Sequence, residues 1–164
     1  MAAVQKIVPN LWFDGNAKEA VDYYTSVFKD GQVTDTAYYT TEGLADFQQA
    51  MASKELTISY SLGGQQFVAI NAGPEFKFNE SVSFAVSCAD QAEIDYFWEK
   101  LSAVPESEQC GWCKDKYGLS WQIVPENMDQ LMRGPNGSDN PKAFQAMMQM
   151  KKIDIAALQA AGNE

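Results

Sequence analysis

The sequence predicts an α+β chain in which one order of elements, a strand, a helix and then further strands, occurs twice before a helical tail. Three observations predict it. Apolar residues alternate on both sides of Gly63-Gly64, the signature of a hairpin. Two helical patterns each follow a strand-like run and open on a capping residue. The stretch Gly73-Pro74-Glu75-Phe76-Lys77-Phe78-Asn79 breaks the pattern, and the same order then begins again. Each module alone would leave a sheet face uncovered, so two packed modules are the natural way to bury it. The expected organisation is two βαβββ-type modules at residues 1–74 and 75–126, with a helical extension at 127–164.

Residues 4–13 read as a strand that ends at Asp14-Gly15. Asn16 is placed to cap the next helix, with Glu19 three positions on as in a capping box. Ala20, Val21, Tyr24, Val27 and Phe28 follow at helical spacing up to Asp30-Gly31. Residues 32–40 are rich in Val, Thr and Tyr and read as a strand, whereas 41–54 fit no single pattern. Leu56, Ile58, Tyr60 and Leu62 alternate into the hairpin, and Phe67 to Ile70 continue it. In the second module, Val82, Phe84, Val86 and Cys88 mark one face of a strand. Asp90 and Glu93 form a second capping box before Ile94, Phe97, Trp98 and Leu101. A short strand through Cys110-Gly111-Trp112, a solvated turn at Lys114-Asp115-Lys116-Tyr117-Gly118 and a strand at Leu119 to Val124 complete it. The tail offers a short helix from Asn127 to Met132, a break at Gly134-Pro135-Asn136-Gly137, and a helix from Asp139-Asn140-Pro141. The apolar stripe of that last helix is Phe144, Met147, Met148 and Ile155.

The composition, 46% hydrophobic, is that of a folded globular chain. Twelve basic residues against twenty-two acidic ones give a net charge of −10, and Arg133 is the single arginine. Such a chain cannot neutralise phosphates well, so nucleic acid and anionic membranes are excluded as partners. No apolar run approaches the ~20 residues of a membrane-crossing helix. The first residues lack a signal-peptide pattern, so a cytoplasmic location is expected. Cys88, Cys110 and Cys113 read as reduced thiols. Cys110 and Cys113 have C-x-x-C spacing, but the following run ends in Gly118 as a turn and does not open a helix. There is no histidine, which excludes a Ser-His-Asp triad, a Cys-His dyad and any imidazole base within one chain. It also leaves the C-x-x-C pair without partners for a four-ligand zinc site.

Three separated runs carry a family resemblance: Gly64 to Glu80, Cys110 to Pro125, and Met150-Lys151-Lys152-Ile153-Asp154-Ile155. In order and content they resemble the PhnB-like, demethylubiquinone methyltransferase-like branch of the glyoxalase/bleomycin-resistance/dioxygenase (vicinal oxygen chelate) superfamily, over roughly residues 5–158. The resemblance implies a glyoxalase-like fold whose two curved sheets form a cleft. In metal-dependent relatives, each module gives one His, Gln or Glu ligand from its first strand and one from its last. Those positions here are Pro9 or Asn10, Ala69 or Asn71, Ser83, and Gln122. Only Gln122 is a common ligand type, so no metal and no cofactor are expected.

The resulting expectation is a protein that binds a small hydrophobic or aromatic molecule in a metal-free cleft. Asn10, Trp12, Phe67, Asn71, Ser83, Cys110, Trp112, Trp121 and Gln122 are the candidate lining residues. Aromatic walls with a few polar groups suit such a pocket, although large aromatics on strands also serve as core. Cys110 would be a reactive thiol only with a basic group near it, and Lys114 is the local candidate. The alternatives are a metal-dependent lyase, isomerase or dioxygenase with an atypical ligand set, and a methyltransferase. The latter lacks a Gly-rich loop leading into a helix. The resemblance and the Met-rich tail together predict a homodimer.

Overall fold

The computed structural model describes residues 5–134 and 137–163, so Val4 and the centre of the expected break at 134–137 lie outside the described residues. The chain divides after Lys77 into two compact units. Among the described residues no helix is long and apolar enough to cross a membrane.

The first unit runs β1 (Asn10–Asp14), α1 (Ala17–Val27), β2 (Gln32–Tyr38), β3 (Glu55–Leu62) and β4 (Gln65–Ala72). The sheet order is β1-β4-β3-β2, with β1 parallel to β4 and the other pairs antiparallel. Residues 5–9 stay outside the strand that the sequence predicts there, and Pro9 contributes only its carbonyl, which accepts from the Val68 N–H at 2.9 Å. The ambiguous 41–54 stretch holds a short 3₁₀ turn at Asp46–Met51. At the hairpin, Gly63 and Gly64 both have positive φ, 55° and 76°, which only glycine adopts without strain. The Asp30 carboxylate accepts from both of their N–H groups, at 3.0 and 2.9 Å, and pins the hairpin to the end of the helical segment. One sheet face forms the core: Leu11, Phe13, Ile58, Tyr60, Leu62, Phe67 and Ala69 are buried with Ala17, Ala20, Val21, Tyr24 and Val27 of α1. Each large side chain buried here contributes about 1.5–3 kcal/mol of transfer free energy.

The second unit runs β5 (Ser83–Cys88), α2 (Gln91–Leu101), β6 (Trp112–Lys114), β7 (Ser120–Pro125), α3 (Met128–Leu131), α4 (Pro141–Met148) and α5 (Ile155–Gly162). Its sheet, β5-β7-β6, has three strands and a 3₁₀ turn at Pro105–Ser107 between α2 and β6. Strand β6 begins at Trp112, two residues later than expected, because Cys110 and Gly111 turn through positive φ of 51° and 84°. The expected apolar face of β5 holds for Phe84, Val86 and Cys88, whereas Val82 precedes the strand and is exposed.

The tail is two helices where the spacing suggested one. Asn140 caps α4, accepting from the N–H groups of Lys142 and Ala143, and its own Nδ2 donates to the Gly162 carbonyl at the end of α5. This clasp buries Ala143 and Leu158 and leaves Phe144 and Met148 exposed. The intervening segment docks on the module. Cys110 N donates to Met150 O at 2.8 Å, and Gly111 N donates to Lys151 O at 2.7 Å. Gln91 donates to Ile153 O and accepts from Ile155 N, while Ile153 is fully buried. A Cβ on Gly111 would lie 3.0 Å from Ile123 O, so the close approach needs glycine.

Candidate functional site

Strand register sorts the candidate residues by face. In β1 and β4 the pairs Leu11–Ala69 and Phe13–Asn71 point to the α1 side, and Asn10–Val68 and Trp12–Ile70 point to the opposite, open face. The first-unit metal positions therefore change. Ala69 and Asn71 pack toward the helix, and the β4 residues beside Asn10 and Trp12 are Val68, Ile70 and Ala72. Period-two alternation makes this an all-or-none shift.

Asn71 is 2% exposed and its amide is spent on the backbone. Its Oδ1 accepts from Ala17 N at 3.2 Å, and its Nδ2 donates to Glu55 O at 2.9 Å. It thus supplies from β4 the cap expected from Asn16, which makes no side-chain cap bond. Phe67 stacks on Tyr60 with ring centroids 5.5 Å apart, inside the same core. Neither residue reaches the open face.

Trp12 does reach it. The indole is partly buried, its Nε1 donates to Gly73 O at 2.8 Å, and its ring meets Phe76 edge-on at 4.8 Å. The segment after β4, which looked like a linker, therefore folds back and fixes this ring. Around Trp12 lie Val68 and Ile70, and then Thr57, Ser59 and Ser61 on the same face of β3. Asn10 is exposed at the rim, its Nδ2 donating to Val8 O.

In the second unit, Trp112 and Gln122 are register partners and share the face turned away from buried Trp121 and Ile123. Gln122 Nε2 donates to Ser83 Oγ at 2.8 Å. Ser83, Trp112 and Gln122 are thus brought to one open face, each half-buried. Trp121 is on the other face, 3% exposed and tilted against Phe84.

The turn expected to be solvated holds a buried carboxylate. Asp115 is 1% exposed; its Oδ1 accepts from Tyr117 N and Leu119 N, and its Oδ2 accepts from Trp121 Nε1 at 2.8 Å. The missed signal is the Asp-x-x-Gly spacing to Gly118, which has φ 87°. Lys114 belongs to β6 and pairs with Glu80, whose carboxyl is held below its usual range by that hydrogen bond. Cys110 lies at the turn, with Sγ 3.6 Å from Met148 Sδ. The three thiols are free, and burial pushes Cys88 and Cys113 up to about 12.

A divalent cation does not fit the residues present. Among the described residues no three His, Cys, Asp or Glu side chains converge. On the open faces the family's ligand positions hold Asn10, aliphatic residues of β4, and a Ser83–Gln122 pair bonded to itself.

Relatives fix the family. Residues 5–124 match the family described as 3-demethylubiquinone-9 3-methyltransferase. The structure is similar to the PhnB protein of Bacillus cereus, which carries the same methyltransferase name, at 31% identity and a TM-score of 0.59, covering 73% of this chain and 99% of that one. Protein PA1353 from Pseudomonas aeruginosa shares the fold at 18% identity and a TM-score of 0.55, covering 74% of this chain and 98% of that one. No curated protein matches the sequence. The chain belongs to the 3-demethylubiquinone-9 3-methyltransferase family, the PhnB-like branch of the glyoxalase-like proteins.

Proposed function

We propose that this protein is a cytoplasmic homodimer that binds a small hydrophobic or aromatic molecule without a metal, on the open sheet faces that bear Trp12 and Trp112. The observation that carries the reading is Trp12. A large aromatic is held rigidly by Gly73 O and Phe76, yet it sits on the face opposite the helix-packed core beside Val68 and Ile70. A fixed aromatic with aliphatic neighbours and a few hydroxyls is the usual lining of a small-molecule site. Trp112, Gln122 and Ser83 repeat the combination in the second unit.

Aromatic fragments titrated into isotope-labelled protein test this. The expected result is amide and indole shifts at Trp12, Val68 and Ile70 with the helix-side residues Phe67 and Asn71 unmoved. Shifts confined to the helix side, or none at millimolar fragment, would refute it. A thermal shift with Ni, Zn or Fe would instead favour a metal-dependent enzyme.

The family name offers methyl transfer as a second reading. S-adenosylmethionine is commonly cradled by a Gly-rich loop between a strand and a helix. Here the β1–α1 and β5–α2 junctions are Gly15-Asn16 and Ala89-Asp90, and Gly63-Gly64 turn a hairpin. Calorimetric titration with S-adenosylmethionine should give no binding heat; a saturable heat would favour the methyltransferase. The dimer is supported by the exposed Phe144 and Met148, 52% and 40% accessible, and light scattering giving a clean monomer would count against it.

A further inference from the structure

Phe76, the ring that lies against Trp12, does more than fix it. It follows β4 in the run Gly73-Pro74-Glu75-Phe76, where Pro74 and Glu75 form a turn. Proline presets the backbone angle that the second position of such a turn requires, so the reversal is built into the local sequence. The turn returns Phe76 to the open face, where its ring meets the Trp12 indole edge-on at 4.8 Å. The indole is tethered by a different group: its Nε1 donates to Gly73 O at 2.8 Å. Tether and cover are thus separate, one a backbone carbonyl and the other a side chain.

Phe76 is 64% exposed, whereas Phe67 in the helix-side core is 4% exposed. A ring left mostly in water adds little to folding, because apolar stabilisation scales with the area removed from water. One edge-on aromatic contact is weak, and an incoming ring can replace it in kind. Exposed side chains change rotamer within picoseconds to nanoseconds, so a χ1 change would uncover the indole without moving the turn. Gly73 O would meanwhile keep Trp12 in place. We propose that Phe76 is a side-chain gate on the Trp12 face. Its ring stands in for the ligand's ring in the empty protein and swings out when an aromatic molecule arrives. This proposal rests on the binding reading above and adds to it a contact that holds the affinity down.

The test titrates 2-naphthol into the full chain and follows the Trp12 indole N–H resonance, assigned with Trp12→Phe. Phe76→Ala, at a mostly exposed position, should keep the amide spectrum of the folded parent. It should bind 2-naphthol about fivefold more tightly, the worth of one aromatic pair. With Phe76 replaced by 4-fluorophenylalanine, the fluorine resonance should move toward its value in the unfolded chain as 2-naphthol saturates Trp12. Weaker binding by Phe76→Ala would make Phe76 a wall of the site and overturn the gate. Equal affinities would overturn it too, as would a fluorine resonance that stays fixed while Trp12 shifts. No movement of Trp12 in either protein would overturn the binding reading itself, and the gate with it.

Discussion

The two modules begin alike, with a strand feeding a helix, but they secure that junction by different means. In the second, the cap is local. Asp90 Oδ1 accepts from Glu93 N at 2.9 Å, and Glu93 Oε2 accepts from Ala89 N at 2.7 Å, two turn donors satisfied within five residues. In the first, the corresponding Asn16 makes no side-chain cap bond, and the helix N-terminus is met by Asn71, which is 54 residues from Ala17. The modules diverge again past the sheet. The first has β2 beside its hairpin, whereas the second ends on β6 and binds the tail through Cys110 and Gly111. Sequence distance, rather than the kind of bond, separates the two solutions.

The largest effect should come where a buried charge holds several donors. Asp115→Ala would strand Tyr117 N, Leu119 N and the Trp121 indole inside the second unit, a loss of about 3 kcal/mol. Denaturant unfolding followed by tryptophan emission measures it, and a loss below about 1 kcal/mol would mean that water reaches the turn. Asn71→Ala comes next, at about 2 kcal/mol, because it removes two bonds at a site 2% exposed. The capping contrast is sharper still in a pair of variants. Asp90→Ala should cost about 1 kcal/mol, whereas Asn16→Ala should fall within about 0.5 kcal/mol of the parent. Equal costs for the two would erase the distinction drawn between the modules.

The same contrast explains what could be read from the sequence. The duplicated element order, the Gly63-Gly64 hairpin, the Asp90 cap and the helix-facing residues of α1 and α2 all depend on neighbours within a few positions. Their physics is periodicity and local hydrogen bonding, which a single sequence displays. The facing of β4 depends on which side α1 packs, and a one-residue uncertainty exchanges Asn71 for Ile70. Phe67 and Trp121 could not be told from Trp12 and Trp112 for the same reason. Asp115 resembled a solvated turn residue because its partner Trp121 lies across a hairpin. Only the register separates the open-face Asn10, Trp12, Ser83, Trp112 and Gln122 from the helix-side Phe67, Asn71 and Trp121.

A smaller effect concerns the thiols. Burial, with nearby carboxylates, raises Cys88 and Cys113 from the ordinary 9.0 to about 12. A thiol that resists ionisation in the folded state leaves stability intact below pH 9, where both states are protonated. As pH rises from 9 toward 12 the unfolded chain ionises first, and stability falls. Unfolding measured from pH 8 to 11 should show this decline, and Cys113→Ala should flatten it; an unchanged slope would assign the decline elsewhere. At neutral pH, a thiol-reactive dye should label the half-exposed Cys110 and spare the other two until unfolding.

The most direct measurement is the position of the Trp12 indole resonance on adding an aromatic fragment to protein stripped of divalent metal by a chelator. A saturable shift that survives chelation, with the Trp121 indole unmoved, is the predicted result. A shift that appears only when a divalent cation is returned, or that arises at Trp121 instead, would contradict the claim of metal-free binding on the open face.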